Sequence, residues 1–222
     1  MIGVIFAMNE ELTKFLELVE LKKKNNIYDI EFYECTYKKK KLVLIESGIG
    51  KVNAGRGTQV LIDNYDVKCI FNIGVAGAIS DKVKIMDIVV GNKLVQYDFD
   101  LEAFGHELGY VPKVGVYVES DSKLLSLAAN KDVHVGVIAS GDKFVTDKDI
   151  AKEINKKFDG LCVEMEGASI AQVCYLSKIP FLVIRSISDS VIKSNNKMDF
   201  DDFLDASSKK VSKYLLDIIN KI

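Results

Sequence analysis

The sequence predicts an α/β fold, a three-layer α/β/α sandwich with a mixed central sheet. Three observations carry this. Short continuous apolar runs recur along the chain, among them IGVIFA at 2–7, CIFNIGVAG at 69–77 and PFLVIRSISD at 180–189. Such runs suit strands buried on both faces. Between them stand segments of helical period, and strands alternating with helices mark the α/β class. Finally, IEFYECTY at 30–37 and KLVLIESG at 41–48 flank a lysine-rich turn and read as a hairpin, so the sheet is mixed rather than purely parallel.

In chain order, the strand at 2–7 is followed by a helix over 9–20, where Leu12, Phe15, Leu16 and Val19 share one face. After the hairpin comes a helix at 51–64 that begins with small residues. The strand at 69–77 ends in glycines, and DIVVGNKLVQYDFD at 87–100 supplies another. A loop with Gly105, Gly109 and Pro112 leads to a helix near 121–130 and the strand VHVGVIASGD. A helix near 147–157, the strand LCVEM, a helix at 167–177 and the strand at 180–189 follow. An amphipathic helix over 201–220 completes the order. With two prolines, no linker-like stretch and no repeat, residues 1–222 read as one domain.

Composition narrows the function classes. The 222 residues are 48% hydrophobic, enough for one sizeable core. A net charge of −2 gives no basic field for nucleic acid or a membrane surface. The lysine-rich runs at 22–26 and 38–41 read as coats on a surface turn and a hairpin. Four cysteines form no CxxC pair and only two histidines occur, which argues against a zinc site. Cys69 and Cys162 lie in apolar runs and read as small buried hydrophobes. The N-terminal apolar run turns acidic after about seven residues and has no basic start, unlike a signal peptide or membrane span. A reduced cytoplasmic compartment is expected.

In α/β sheets, ligands collect at the carboxyl ends of strands. Here those ends deliver residues 8–11, 47–50, 74–77, 140–145, 164–166 and 185–189. Each unusual polar residue in an apolar setting falls in one of these places. Glu164 and Glu166 stand in CVEMEGASIA, and Glu11, Arg185 and Asp189 join them. A buried carboxylate must be paired, protonated or occupied by a ligand. There is no GxGxxG after the first strand, no P-loop and no HExxH. A carboxylate-rich pocket without such motifs suits acid–base hydrolysis, one acid protonating a leaving group while another activates water.

The chain resembles the 5′-methylthioadenosine/S-adenosylhomocysteine nucleosidases, within the nucleoside phosphorylase superfamily. The resemblance covers essentially the whole chain. It rests on AMNEEL, SGIGKVNA, NIGVAGAI, DIVVGN, DLEAFGHELGYVP, SGDKFV, VEMEGASIA, IPFLVIRSISD and DFDDFL, in that order. It implies a nucleoside phosphorylase-like fold and hydrolysis of the N-glycosidic bond of a purine nucleoside, without cofactor or metal.

Position by position, the resemblance makes Glu11 the carboxylate that activates water and Asp189 the acid that protonates N7 of the purine. Glu166 would hold the ribose hydroxyls, with Met165 under the sugar. Phe144 would stack on adenine and the Val145 backbone would read its edge. Arg185 would lie near the water and ribose, and Glu164 close by. Met8, Ile49 and Phe203 would line the pocket for the 5′ substituent. Val75, Ala76 and Gly77 count with the substrate-binding residues. Leu101, Phe104 and Pro112 match residues that reach in from a neighbouring subunit, which implies a homodimer.

Chemistry supports these roles. Adenine leaves easily only when protonated, so Asp189 would have to hold a proton near neutral pH, against about 3.9 for a free aspartate. A carboxylate accepts from both hydroxyls of a ribose diol. Arg185 is one of two arginines in a lysine-rich chain, and a planar guanidinium inside a strand points to a specific carboxylate partner.

Plainer readings stand beside each. Asp189 suits a turn cap. Glu11 and Glu166 suit the first turn of a helix. Phe144 suits a core and Phe104 an interface. The chain also departs from the family pattern. Val75 stands where a serine is common, His106 and Leu108 replace aromatic positions, and the run after Asp189 holds an Asn-rich piece at 193–197. Two other enzymes compete: a phosphate-dependent purine nucleoside phosphorylase, and a nucleosidase for another 5′ substituent. The acidic AMNEE turn disfavours phosphate. A non-catalytic nucleoside-binding module is the rival from another class, and the three acids together argue against it.

Overall fold

The computed structural model describes residues 1–192 and 196–222, and only the backbone of 196–199. The Asn-rich stretch 193–197 thus lies outside the described residues, apart from the backbone of its last two positions. The fold is mixed α/β. β1 (Ile2–Phe6) lies between β4 (Lys40–Glu46) and β5 (Cys69–Ala78), parallel to both. β3 (Ile30–Tyr37) forms the expected hairpin with β4.

Beyond β3 the structure adds a strand, β2 (Glu20–Ile27), where the sequence pattern suggested a helix end and a surface turn. β2 is exposed over nearly all its length. Neither face carries the apolar alternation that marks a strand, and its three lysines suit an edge that must not pair with another chain. The preceding helix is correspondingly shorter: α1 (Asn9–Leu16) stops at Glu17, and Leu18 and Val19 turn back onto the core.

On the other side of β5 the sheet closes on itself. β10 (Phe181–Ser190) pairs parallel with β5 and antiparallel with β6 (Ile88–Gln96). β6 pairs with β8 (His134–Ser140), and β8 with β9 (Gly160–Glu164), both parallel. β9 then returns antiparallel to β5, with Val163 beside Gly77 and Cys162 beside Ala78. This closure decides where the site forms. β9 runs opposite to β5, yet the carboxyl ends of the two strands overlap. Glu164 and Glu166 are thereby brought to the carboxyl ends of β5 and β10. A two-strand-residue piece, β7 (Val118–Glu119), extends β6.

The core falls into clusters that follow the strand alternation. Val4 and Phe6 of β1 pack with Leu12 and Phe15 of α1 and with Leu215 of α6 (Asn196–Ile219). Ile5, pointing the other way, joins Leu61 of α2 (Lys51–Asn64) and Ile170 of α5 (Gly167–Leu176). A third cluster joins Ala151, Ile154 and Phe158 of α4 (Lys148–Phe158) to Tyr97 and Val163. α3 (Ser122–Ala128) is capped by Asp121, whose carboxylate accepts from two first-turn N–H groups. All four cysteines are buried as free thiols.

Candidate active site

A cleft of about 630 Å³, part of it open to solvent, lies at the convergent strand ends. Its floor and walls include Ala7 and Met8, the Val75–Gly77 stretch, Val163 to Glu166, and Ser188 and Asp189. Glu11, Glu164, Glu166 and Asp189 are all buried.

Glu11 sits in the first turn of α1 and serves both readings of it. One carboxylate oxygen accepts from the N–H groups of Ala7 and Met8, at 3.1 and 3.2 Å, as a helix-capping acid would. The other accepts from Val75 N–H across on β5, at 3.0 Å. A Cβ on Gly74 would stand 2.5 Å from Glu11 Oε1, so only glycine lets the carboxylate reach β5. Burial raises the Glu11 pKa above the usual carboxylate range, while the Arg185 charge and the three N–H donors restrain the rise. The bond from Val75 is a backbone bond. The family departure at this position therefore removes a hydroxyl from the cleft wall and leaves the contact with Glu11 intact.

Glu164 and Glu166, two residues apart, do different work. Glu164 accepts from the N–H groups of Glu166 and Gly167, at 3.1 and 2.7 Å, and from the Ser140 hydroxyl. It is also ion-paired with Arg185. It caps α5 and neutralises the guanidinium. Glu166 is the N-cap residue of α5 by position, but its side chain makes no cap bond. Its Oε1 instead accepts from Gly50 N–H at 2.7 Å, in the turn that leads into α2. Burial pushes Glu166 up to about 8, and the nearby Glu164 carboxylate pushes the same way. Gly50 N–H and Arg185 act against that rise. Helix capping therefore accounts for Glu164 and leaves Glu166 free to face the cleft.

Arg185 itself lies behind the wall. Its guanidinium is held by Glu164, by the side chain and carbonyl of Asn72, and by the Ile184 carbonyl. It does not line the cleft and lies beneath the carboxylates, close enough to act on Glu11 and Glu166, the two expected to face the water and the ribose. Charge repulsion among Glu11, Glu164 and Glu166 explains its place, since a cation under three acids stabilises them together.

Asp189 lies within β10, not in a turn after it. Between Ile187 and Asp189 the pairing with β5 shifts by one residue, so Ser188 is the extra residue of a bulge. Bulges re-aim side chains next to functional sites. Here Ser188 donates its hydroxyl to Asp189 Oδ1 at 2.8 Å. A Cβ on Gly77 would come within 2.9 Å of Asp189 Oδ2, so Gly77 leaves the carboxyl its space.

The rim is aromatic and aliphatic. Phe144 is 45% exposed, packs edge-on against Phe200 at 5.6 Å between ring centroids, and shares the cleft with buried Val145. Ile49 and Met165 also line it. Phe203 does not; Phe200, one turn earlier on α6, takes the place expected for it. Leu101, Phe104 and Pro112 lie on the loop after β6, outside this chain's own cleft. Phe104 is 80% exposed. Gly50, Ser140 and Ser188 fall in strand ends that the sequence marks, without a role of their own there, and Asn72 falls outside those ends. Ser188 sits inside the quoted RSISD run, and the polar Ser186 and Asp189 close to it in an otherwise apolar strand are the available signal. Among the described residues no group of three His, Cys, Asp or Glu side chains is placed to hold a metal ion. Nor is any described helix long and apolar enough to cross a membrane.

Comparison with known proteins agrees with this geometry. The family model of the phosphorylase superfamily matches residues 1–220. A 5′-methylthioadenosine/S-adenosylhomocysteine nucleosidase of an Exiguobacterium species is 37% identical, over 100% of this chain and 98% of its own. An aminodeoxyfutalosine nucleosidase of Campylobacter jejuni is 36% identical, over 100% and 99%. Among solved structures, the Helicobacter pylori 5′-methylthioadenosine/S-adenosylhomocysteine nucleosidase, complexed with a 4-amino-pyrrolo[3,2-d]pyrimidine derivative, superposes with a TM-score of 0.94 at 36% identity, covering 100% of this chain and 98% of that one. With its fold, its full-length relatives and its cleft in agreement, the chain belongs to the phosphorylase superfamily, among the nucleosidases of the 5′-methylthioadenosine/S-adenosylhomocysteine family.

Proposed function

We propose that the protein hydrolyses the N-glycosidic bond of 5′-methylthioadenosine and S-adenosylhomocysteine, releasing adenine and the 5-substituted ribose. The observation that carries this reading is the meeting of three buried carboxyl groups, Glu11, Glu166 and Asp189, on one largely apolar cleft. The C1′–N9 bond breaks as a water oxygen bonds to C1′ through an oxocarbenium-like transition state. Glu11 takes the water proton, and burial, by raising its pKa, makes it a stronger base than a free carboxylate. Asp189 gives a proton to N7 of the leaving purine. Glu166 accepts from the ribose diol above Met165. Phe144 and Val145 hold the adenine, and Met8, Ile49 and Phe200 lie where the 5′ group would reach.

The wider reading comprises one three-layer α/β/α domain over 1–222 in a cytoplasmic homodimer, acting in methionine salvage. The opposed core clusters on the two faces of β1 support the layers. Exposed Phe104, on the loop with Leu101 and Pro112, suits a residue that meets a second subunit. A phosphorylase is disfavoured because Arg185 is engaged by Glu164 and Asn72, so Lys143 is the one cation among the described residues that line the cleft. The 5′ group is more open, since relatives named for aminodeoxyfutalosine match equally well.

The test is adenine release from 5′-methylthioadenosine, S-adenosylhomocysteine and aminodeoxyfutalosine, followed by chromatography with and without phosphate. Release indifferent to phosphate, with a free 5-substituted ribose, is expected. A phosphate requirement and a sugar 1-phosphate product would move the protein to the phosphorylases.

Glu166 gives a second prediction. Diol hydroxyls donate, so bound nucleoside favours the carboxylate. Raised to about 8 by burial and by the Glu164 charge, Glu166 is largely protonated at pH 7 in the free protein. Binding of an unreactive diol-bearing analogue at pH 7 should release close to one proton. Titration calorimetry in buffers of different ionisation enthalpy reads this directly. Glu166→Gln should abolish the release. A wild-type binding enthalpy independent of buffer would mean that the diol does not draw a proton from Glu166.

A further inference from the structure

The bond from Gly50 to Glu166 depends on the shape of the turn at 48–51, and what fixes that turn comes from elsewhere. Gly50 has φ of +97°, a region open to glycine. Its neighbour Lys51 donates its backbone N–H to Asp142 Oδ1 at 2.7 Å. Asp142 donates its own N–H to Asp98 Oδ2 at 2.9 Å. Asp98 Oδ1 accepts from Lys51 Nζ at 2.5 Å, which closes a ring of three residues from three different strand ends. Gln96 Oε1 also accepts from Lys51 Nζ, at 3.1 Å, and Lys51 O accepts from Ser169 Oγ at 2.6 Å. Within the ring the Lys51 side chain is the shielded member, 15% exposed against 30% for the Asp98 side chain, and Asp142 is exposed. Lysine and aspartates at an α/β rim would ordinarily be solvated. Here the lysine spans two segments and each aspartate receives a backbone N–H.

The ring also touches both halves of the site. Gly50 next to it meets Glu166, and Asp142 leads within three residues to Phe144 and Val145. We infer that the Lys51–Asp98–Asp142 ring is the positioning device that keeps Gly50 N–H on Glu166 and sets the ribose-facing carboxylate against the base-facing loop. This rests on the reading of Glu166 as the diol acceptor. None of the three ring residues touches the substrate in it; they act through Gly50 and Glu166.

The test uses Asp142→Ala, which deletes the acceptor for Lys51 N–H, and Asp142→Asn, which keeps an oxygen there. Asp98→Ala opens the ring from the other side and covers the case in which Asp142→Ala does not fold. The first readout is the Gly50 amide in glycine-labelled NMR spectra. It should lose its hydrogen-bonded shift and its protection from exchange in both alanine variants and keep them in Asp142→Asn. The second is steady-state kinetics. The alanine variants should lose about tenfold in kcat/KM on 5′-methylthioadenosine and less than about threefold on its 3′-deoxy analogue, since misplacing one holding group weakens only the contacts it makes. Asp142→Asn should restore both values. An unchanged Gly50 amide, or equal losses on the two substrates, would overturn the proposal. If Glu166→Gln itself fails to distinguish the two substrates, the diol reading falls, and the ring is then judged by the Gly50 amide alone: altered in the alanine variants, it stands; unaltered, it falls.

Discussion

Asp189→Asn is expected to slow adenine release by about 10²–10⁴-fold, the usual contribution of a positioned general acid, while an inert nucleoside analogue still binds. Asparagine keeps the volume of the side chain and an oxygen to accept from Ser188. The surroundings that aim Asp189 also stay in place: the bulge at Ser188 and the open space over Gly77. Only the transferable proton is removed. The loss should fall on kcat, with KM little changed, as for an interaction made in the transition state alone. Chromatography measures turnover, and a thermal-shift titration with the analogue measures binding. Turnover like that of the wild type would remove Asp189 from the acid role. Loss of binding in proportion to rate would instead make it a ground-state contact.

The acids of this site were legible in the sequence because burial and charge conflict there. Glu164, Glu166, Arg185 and Asp189 interrupt apolar strand runs, and runs of that kind name the strand ends on which a site can form. Their division of labour was not legible. Whether Glu164 or Glu166 caps α5 depends on Gly50, which lies 116 residues away in sequence from Glu166, and no local pattern reports such a bond. The bulge at Ser188 likewise follows from register against β5, and RSISD alone does not encode it. The closure of the sheet was missed for a related reason. Apolar runs reveal strands, but β9 and β5 overlap by only two residue pairs, Gly77 with Val163 and Ala78 with Cys162. At the opposite edge β2 was hidden because it is polar on both faces. Phe200 and Phe203 both stand in DFDDFL, but the helix expected over 201–220 starts after Phe200; α6 begins at Asn196, and one turn of helix decides which of the two reaches the cleft.

Arg185→Met carries the largest expected effect on stability, a loss of about 3–5 kcal/mol. Methionine roughly matches the length of the arginine stem but leaves Glu164 buried without its cation and Asn72 Oδ1 without a donor. Burial alone would lower the arginine pKa; the Glu164 charge and hydrogen bond outweigh this, helped by Glu166 and Glu11, so the guanidinium stays charged. Because the loss arises from an uncompensated charge and not from packing, adding Glu164→Gln should recover a substantial part of it, giving a coupling that denaturant titration of the single and double variants can measure. Activity offers an independent reading. Arg185 holds the Glu11 pKa down, so its removal should raise that pKa and move the acid limb of kcat/KM to higher pH. Equal destabilisation by the single and double variants, with the pH limb unmoved, would show that Arg185 matters for filling space rather than for the charge it places under the carboxylates.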